Sequence, residues 1–368
     1  MAEWKPFLRV EPPIDWLLEE KNPAIRYFTL RDLLKIPQTS PFLDSARKEI
    51  HNESAIQKIL QYQYEDGGWE EERPALRQIT IRKGRRICPT CKQPIKEQLS
   101  STPRHDDQRE SWLLPKHRST FWQLCILGQI GANIENKQIY KACERAFLFQ
   151  DPKGNFTHVE GETTSSGLGG TISGLVVCAL LRMGWEYDAN LWKATESLVN
   201  STKSVGGWLY QAQQSTFEQP DTRISRIIFP LEAFVERPQE QWTQKTATLV
   251  AESVEFLFRF LHHLANSEEY MQLSFPYLQQ FDLLRFLILL VKLGYQDDKR
   301  VLDAWKTIAA RQQEDGVWIL EKTASNMLTS LGSKRRANKW ITLNALRVAR
   351  SLFGAEAIPR PTSLENYE

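Results

Sequence analysis

Apolar residues recur along this chain at helical spacing, in stretches separated by short polar turns. Ile14, Leu17, Leu18, Ile25, Phe28, Leu30, Leu33 and Leu34 mark the first stretch, which Asn22-Pro23 interrupts because proline brings no backbone donor. A second helix is predicted over residues 42–62. From there the helices come in pairs: 112–130 with 137–149, 172–183 with 191–199, 224–235 with 246–264, and 282–293 with 301–311. Residues 340–353 form a last helix with no following mate, and the N-terminal stretch is its expected partner.

Within each pair the first helix is the more apolar. Residues 281–293 carry few charges, whereas 297–313 carry many. In stacked helical hairpins that contrast separates an inner layer, buried on both sides, from an outer, solvated one. The expected fold class is therefore all-α: a closed αα-barrel, or toroid, of about six helical hairpins, whose cavity is lined by the N-terminal ends of the inner helices.

A phrase punctuates the pattern. Gln63-Tyr-Glu-Asp-Gly-Gly-Trp69 recurs as Gln150-Asp-Pro-Lys-Gly-Asn-Phe156 and as Gln312-Gln-Glu-Asp-Gly-Val-Trp318, with a looser copy ending in Gly206-Gly-Trp208 and a degenerate one near Tyr270 to Phe275. Phe156 and Trp208 stand 52 residues apart and Trp208 and Trp318 stand 110 apart, so the period is a little over 50. Trp69 and Phe156 are 87 apart, which exposes an insertion after the first copy. The glycines are turn chemistry and stop each outer helix. The phrases read as brackets that lock each outer helix to the next inner one.

The chain has 368 residues and a net charge of +2, so its bulk charge carries no nucleic-acid or membrane signature. It has 12 tryptophans, which suit both packing anchors and the wall of an apolar cavity. The run Phe286 to Leu293 is too short to span a bilayer and is broken by Lys292. The first residues show no secretory leader pattern, and Cys125, Cys143 and Cys178 sit inside apolar helical patterns like reduced core thiols; the expected location is cytoplasmic.

The Gln-x3-Gly-x-aromatic phrase resembles the QW repeat of squalene–hopene cyclases and, more widely, the terpenoid cyclase and protein prenyltransferase αα-toroid superfamily. A closer likeness is to stand-alone prenyltransferase or squalene oxidase repeat proteins. It is carried by residues 15–34, 275–284, 294–298 and 333–350, covering nearly the whole chain except the insert. The resemblance implies a toroid and an isoprenoid or other apolar ligand in its cavity. Function does not travel with fold alone. The chain lacks the Asp-x-Asp-Asp string with which related cyclases protonate an alkene. It also departs from the zinc site of protein prenyltransferases: Asp282-Leu283-Leu284 lacks the cysteine, and Lys339-Trp340-Ile341-Thr342 has tryptophan in place of histidine. Asp106-Asp107-Gln-Arg-Glu110 matches a magnesium–diphosphate pattern in form, but lies in a polar inserted loop.

Asp282 opens an apolar inner helix, where a carboxylate either caps the exposed amides or faces the cavity as a buried acid; it is the candidate catalytic residue. Arg118, Arg223, Arg226 and Lys339 stand near inner-helix starts, where free amides already favour anions; the alternative is pairing with loop acids. The candidate ligand-binding set is Arg118, Trp122, Arg226, Tyr277, Trp340 and Thr342. The insert, residues 73–110 within an otherwise single 1–368 domain, is basic and carries Cys88-Pro-Thr-Cys91 after a predicted strand. Two thiolates at that spacing can grip a structural zinc ion, a full site needing two more ligands with only His105 or His117 near and His105 the candidate, or stand as free or redox-sensitive thiols. The rival to a ligand-transforming enzyme is a non-catalytic ligand-binding or protein-interaction scaffold that uses the rim and the basic insert.

Overall fold

The computed structural model describes residues 8–69, 80–82, 85–87, 111–158, 160–161, 169–201, 220–278 and 281–354. It is mostly helical. The helices are α1 (Ile14–Leu17), α2 (Pro23–Phe28), α3 (Pro41–Lys48), α4 (Ser54–Leu60), α5 (Thr120–Gln129), α6 (Lys137–Ala146) and α7 (Gly169–Arg182). They continue with α8 (Ala189–Asn200), α9 (Pro220–Val235), α10 (Gln244–Asn266), α11 (Glu268–Met271), α12 (Leu283–Lys292), α13 (Lys299–Ala309) and α14 (Lys339–Phe353). A π-turn, Thr29–Leu33, extends α2. Two small antiparallel ribbons pair Thr80–Arg82 with Arg85–Ile87 in the insert, and Ile319–Leu320 with Arg336–Ala337 before α14. Cys88, Cys91 and His105 lie outside the described residues.

Local chemistry sets the helix starts. Asn136, Asp188, Asp298 and Asn338 each stand at an N-cap and accept hydrogen bonds from first-turn amides, which would otherwise have no partner. The predicted helix over 112–130 is shorter than expected and begins at Thr120. Pro115 lacks a donor, and Trp112 instead folds inward to stack on Phe149 with centroids 4.6 Å apart, its indole donating to the Thr157 carbonyl. The expected helix over 42–62 is likewise broken at Glu53, whose carboxylate accepts the Ala24 amide.

The two layers follow the composition. In α5 every residue from Thr120 to Gly128 is buried, whereas α6 buries Ile139, Ala142, Cys143 and Ala146, one stripe at helical spacing. The outer helix α13 likewise buries Val301, Ala304, Trp305 and Ile308. Its large side chains contribute roughly 1.5–3 kcal/mol each through removal from water. The inner helices pack in series: α7 on α5 and α9, α12 on α9 and α14, and α14 on α2 and its π-turn. At the α7–α9 crossing a Cβ on Gly174 would lie 2.6 Å from the Phe229 carbonyl carbon, so the backbones meet at a distance only glycine permits.

The phrases are the joints. Gln63 Nε2 donates to Gly67 O inside its own turn and to Gln138 O on α6; Gln150 does the same to Gly154 O and to Asn190 O on α8. Trp69 N donates to Thr120 Oγ1 and Phe156 N to Ser173 Oγ, each on the next inner helix. At the third copy Trp318 N donates to Thr342 Oγ1, and Gln312 Nε2 donates to Gly316 O and to Val10 O. Gly67, Gly154 and Gly316 hold φ of +90°, +96° and +82°, and a Cβ on them would meet the carbonyls of Lys141, Lys193 and Glu11 at 2.8, 2.6 and 2.5 Å. The N-terminal segment thus takes, at the third phrase, the place that α6 and α8 take at the first two.

Candidate functional site

A cavity of about 580 Å³ is lined by residues from the α2–π segment, α5, α7, α9, α12 and α14. The C-terminal end of each of these segments reaches it, through Lys35, Gln129, Arg182, Glu236, Lys292 and Ser351. Its deep part is buried: Phe275, Tyr277, Arg285, Glu232, Trp340 and Asn344 are each at most 7% exposed. The mouth is half-open and charged. The expectation that the cavity is lined by the N-terminal ends of the inner helices is therefore corrected, because among the described residues the lining gathers mainly at their C-terminal halves.

The apolar wall is aromatic. Trp340 stacks on Phe275 with centroids 5.1 Å apart and meets Phe28 edge-on at 6.1 Å; Phe275 in turn meets Tyr277 at 5.7 Å. Gln129 fixes the Tyr277 backbone from both sides, its Oε1 accepting the amide at 2.7 Å and its Nε2 donating to the carbonyl at 2.9 Å. Burial pushes the Tyr277 phenol well above its ordinary range, and the nearby Asp282 adds to the shift.

Three ion-pair groups surround that wall. At depth, Arg285 Nε and Nη2 form a bidentate pair with Glu232 at 2.6 Å each, and the guanidinium lies over the rings of Phe229 and Tyr277. At one side of the mouth Asp32 accepts from Arg31 Nε at 2.5 Å and from Arg347 Nε at 2.7 Å. The two guanidiniums lie 4.9 and 4.8 Å from the Phe28 ring centroid. At the other, Glu236 accepts from Arg182 Nε and Lys292 Nζ, both at 2.9 Å. Burial alone would raise the Asp32 and Glu236 carboxyls, but the cations outweigh it and hold both at about 2. Among the described residues, seven cationic side chains and three carboxylates line the cavity.

The structure separates the residues singled out from sequence. Tyr277 and Trp340 line the cavity. Arg118 is exposed, and Arg226 is half-buried outside the lining; the Arg223 side chain lies outside the description. Trp122 is packed against Phe121 and His117, its indole donating to the Leu113 carbonyl, and Thr342 is taken up by the Trp318 joint. Arg118 precedes α5, Trp122 and Thr342 stand in the first turns of α5 and α14, Arg226 lies midway along α9, and none of the four joins the described lining. Lys339 also turns away, pairing with Glu19 at 2.7 Å over the Trp16 ring.

Asp282 is 1% exposed. Its Oδ1 accepts the Arg285 amide at 2.8 Å and its Oδ2 accepts both the amide and the hydroxyl of Ser274 at 2.6 Å. It thus caps α12 and also does for the degenerate phrase what threonine or serine hydroxyls do at the other joints. Burial raises its carboxyl above the usual range against those hydrogen bonds. Asp282 is absent from the cavity lining.

The charged lining was not singled out from sequence, although a signal existed. Glu232 in Pro-Leu-Glu-Ala-Phe and Arg285 in Leu-Leu-Arg-Phe-Leu interrupt helices otherwise fit for full burial, where a charge must be paired or face a cavity. Among the described residues no group of histidine, cysteine and carboxylate side chains could hold a metal ion, and no helix is long and apolar enough to cross a membrane. Burial pushes the Cys125 thiol up to about 12 and raises Cys143 and Cys178 as well, so all three are inert core thiols at neutral pH.

No known family model matches the chain, and no curated protein does. Solved structures of the type II terpene cyclase MstE from Scytonema do. One variant in complex with geranylgeranyl dihydroxybenzoate as substrate is 11% identical, with 83% of this chain and 98% of that one covered and a TM-score of 0.31. Another, in complex with the product merosterolic acid A, is 11% identical over 83% and 97% of the chains, with a TM-score of 0.32. At this similarity nothing about ligands or chemistry passes from that enzyme to this chain.

Proposed function

We propose that the chain is a terpenoid cyclase-like αα-barrel whose six inner-helix segments close into a ring, and that it binds an isoprenoid or other apolar small molecule in the enclosed cavity. The observation that carries this reading is the cavity itself, which draws lining residues from all six segments and presents Phe28, Phe275, Tyr277 and Trp340 as an apolar wall. Its volume of about 580 Å³ lies within the roughly 300–1,000 Å³ usual for small-molecule sites.

Binding without transformation is favoured over catalysis. A protonating acid needs a carboxyl that reaches the ligand, and Asp282 has its oxygens committed to Ser274 and the Arg285 amide instead. The lining carboxylates Asp32, Glu232 and Glu236 are each ion-paired.

Calorimetric titration with farnesol, geranylgeraniol and squalene tests the reading, with Trp340→Ala as the cavity variant. Saturable binding that weakens in Trp340→Ala supports it. Failure of all three to bind a folded protein refutes it. Cyclised products that vanish in Asp282→Asn would instead restore the catalytic role.

A further inference from the structure

We propose that the molecule carries a second binding surface, on the segments that lead into the inner helices α5 and α14, and that this surface takes single-stranded nucleic acid. It is separate from the cavity, since none of its residues belongs to the described lining.

The net charge of +2 is unevenly spread along the chain. Residues 111–119, which lead into α5, carry Lys116, His117 and Arg118 and no acid. Residues 319–338, which lead into α14, carry Lys322, Lys334, Arg335 and Arg336 against Glu321 alone. Glu321 is committed elsewhere, pairing with Arg311 and accepting the Leu273 amide. His117 Nδ1 meets the Ser325 carbonyl at 2.8 Å, so the two segments touch. Lys116, Lys334, Arg335 and Arg336 are all exposed, and among the described residues none of their side chains forms an ion pair, a hydrogen bond or a ring contact. Single solvated cations are ordinary, but three in succession with no counter-charge are set to displace the counter-ions of a polyanion.

The loop that displays them is fixed by its own bonds. The Arg335 amide donates to the Leu320 carbonyl at 2.7 Å, and Asn338 Nδ2 donates to the Leu331 carbonyl at 2.8 Å. Arg335 also holds φ at +61°, which a residue other than glycine keeps only where its surroundings impose it. Little backbone order is left to lose on binding.

Two observations choose the partner. Tyr62 and Tyr64 are 49% and 48% exposed, and among the described residues their rings meet no other ring or cation. They belong to the first bracket, whose Trp69 amide donates to Thr120 at the start of α5, the helix that Lys116 precedes. Exposed rings beside cations stack bases while the cations meet phosphates, and a single strand offers base faces that a duplex conceals. A bilayer fits less well: Met327, Leu328 and Leu331 pack on the core, which leaves this loop no exposed large apolar side chain to bury among lipids.

Fluorescence anisotropy tests the proposal on the full chain, with labelled oligodeoxythymidine and oligouridine of about 20 nucleotides in a salt series. One variant replaces Lys334, Arg335 and Arg336 by alanine, and a control removes the same charge from the outer helices at Lys137, Lys193 and Lys299. Each phosphate contact on a single strand contributes about 0.7 to the slope of log affinity against log salt, so the loop variant should lower that slope by about 2 and weaken binding at least tenfold. The control should stay within about threefold of wild type. Lys116→Glu should weaken binding in the same direction without touching the loop. Tyr62→Ala with Tyr64→Ala should weaken it at least fivefold and leave the slope unchanged. Preference for one oligomer tells DNA from RNA. No binding of either oligomer at low salt overturns the proposal, as does a loop variant that behaves like the control, or a duplex that binds as tightly as the single strands. Phosphatidylserine vesicles that bind wild type but not the loop variant, with no oligomer bound, would assign the surface to a membrane instead.

Discussion

Replacing Gln312 by alanine tests the joint between the two ends of the helix series. Gln312 is 1% exposed, whereas Gln63 and Gln150 are half-buried. Its Oε1 accepts the amides of Arg9 at 2.9 Å and Val10 at 3.2 Å, and its Nε2 donates to the carbonyls of Val10 at 3.2 Å and Gly316 at 3.1 Å. Among the described residues, Gln63 and Gln150 each make two donor bonds through their carboxamides. A hydrogen bond contributes about 0.5–1.5 kcal/mol net, and a buried group left unpaired costs about 1–3 kcal/mol. Gln312→Ala should therefore destabilise by roughly 2–4 kcal/mol, and Gln63→Ala or Gln150→Ala by about 1–2 kcal/mol. Guanidinium denaturation measures the totals, and amide hydrogen exchange locates them. Exchange at residues 9–18 should accelerate by about tenfold for every 1.4 kcal/mol of local stability lost, and should do so only in Gln312→Ala. Wild-type exchange at those residues, with a stability loss no larger than that of Gln63→Ala, would refute the argument that this side chain holds the seam.

Three further outcomes follow from the site. Glu232→Gln leaves the Arg285 guanidinium buried without its counter-charge and should destabilise by about 3–5 kcal/mol in guanidinium denaturation, whereas the paired Glu232→Leu, Arg285→Met variant should recover most of that loss; a single variant within 1 kcal/mol of wild type would contradict it. Asp32 and Glu236 have folded carboxyl values depressed to about 2, so they add stability above their ordinary range near 4. That contribution should be complete at neutral pH and fall away as pH drops from about 5 towards 2, and Asp32→Asn should flatten the acid limb of a stability–pH curve; an unchanged limb argues against the shift. We also propose that Cys88 and Cys91, with His105, hold a structural zinc ion. Metal analysis of purified protein should then give one equivalent in wild type and none in Cys88→Ser, and a metal-free wild type purified without chelators would end that proposal.

The sequence carried the helices and their joints because both rest on local rules. The stripe Val301, Ala304, Trp305 and Ile308 is legible as one buried face, and the glycine at the fifth position of each phrase is legible as a helix stop. What lay beyond reach was decided by partners distant along the chain. Asp282 had two readings, and the choice between them depends on Ser274 folding back to its carboxylate. Arg347 and Asp32 are 315 residues apart, and nothing in the surroundings of either announces the other. The direction in which the inner helices point their open ends was also illegible, since burial periodicity is the same whichever end faces a cavity. Ligand candidates were therefore sought at Arg118, Trp122, Arg226 and Thr342, where the described chain is packed or solvated, while the charged mouth lay elsewhere.

The third bracket has a topological consequence. Gln312 donates to the Val10 carbonyl as Gln63 does to α6 and Gln150 to α8, and adds two acceptor bonds from Arg9 and Val10, so the joint between the first and last described segments is bonded at least as fully as the continuous ones. A circular permutant opened in the turn between α7 and α8, with its former ends linked, would keep every bracket and merely relocate the gap. Where the chain starts is, in that sense, a matter of connectivity rather than of structure.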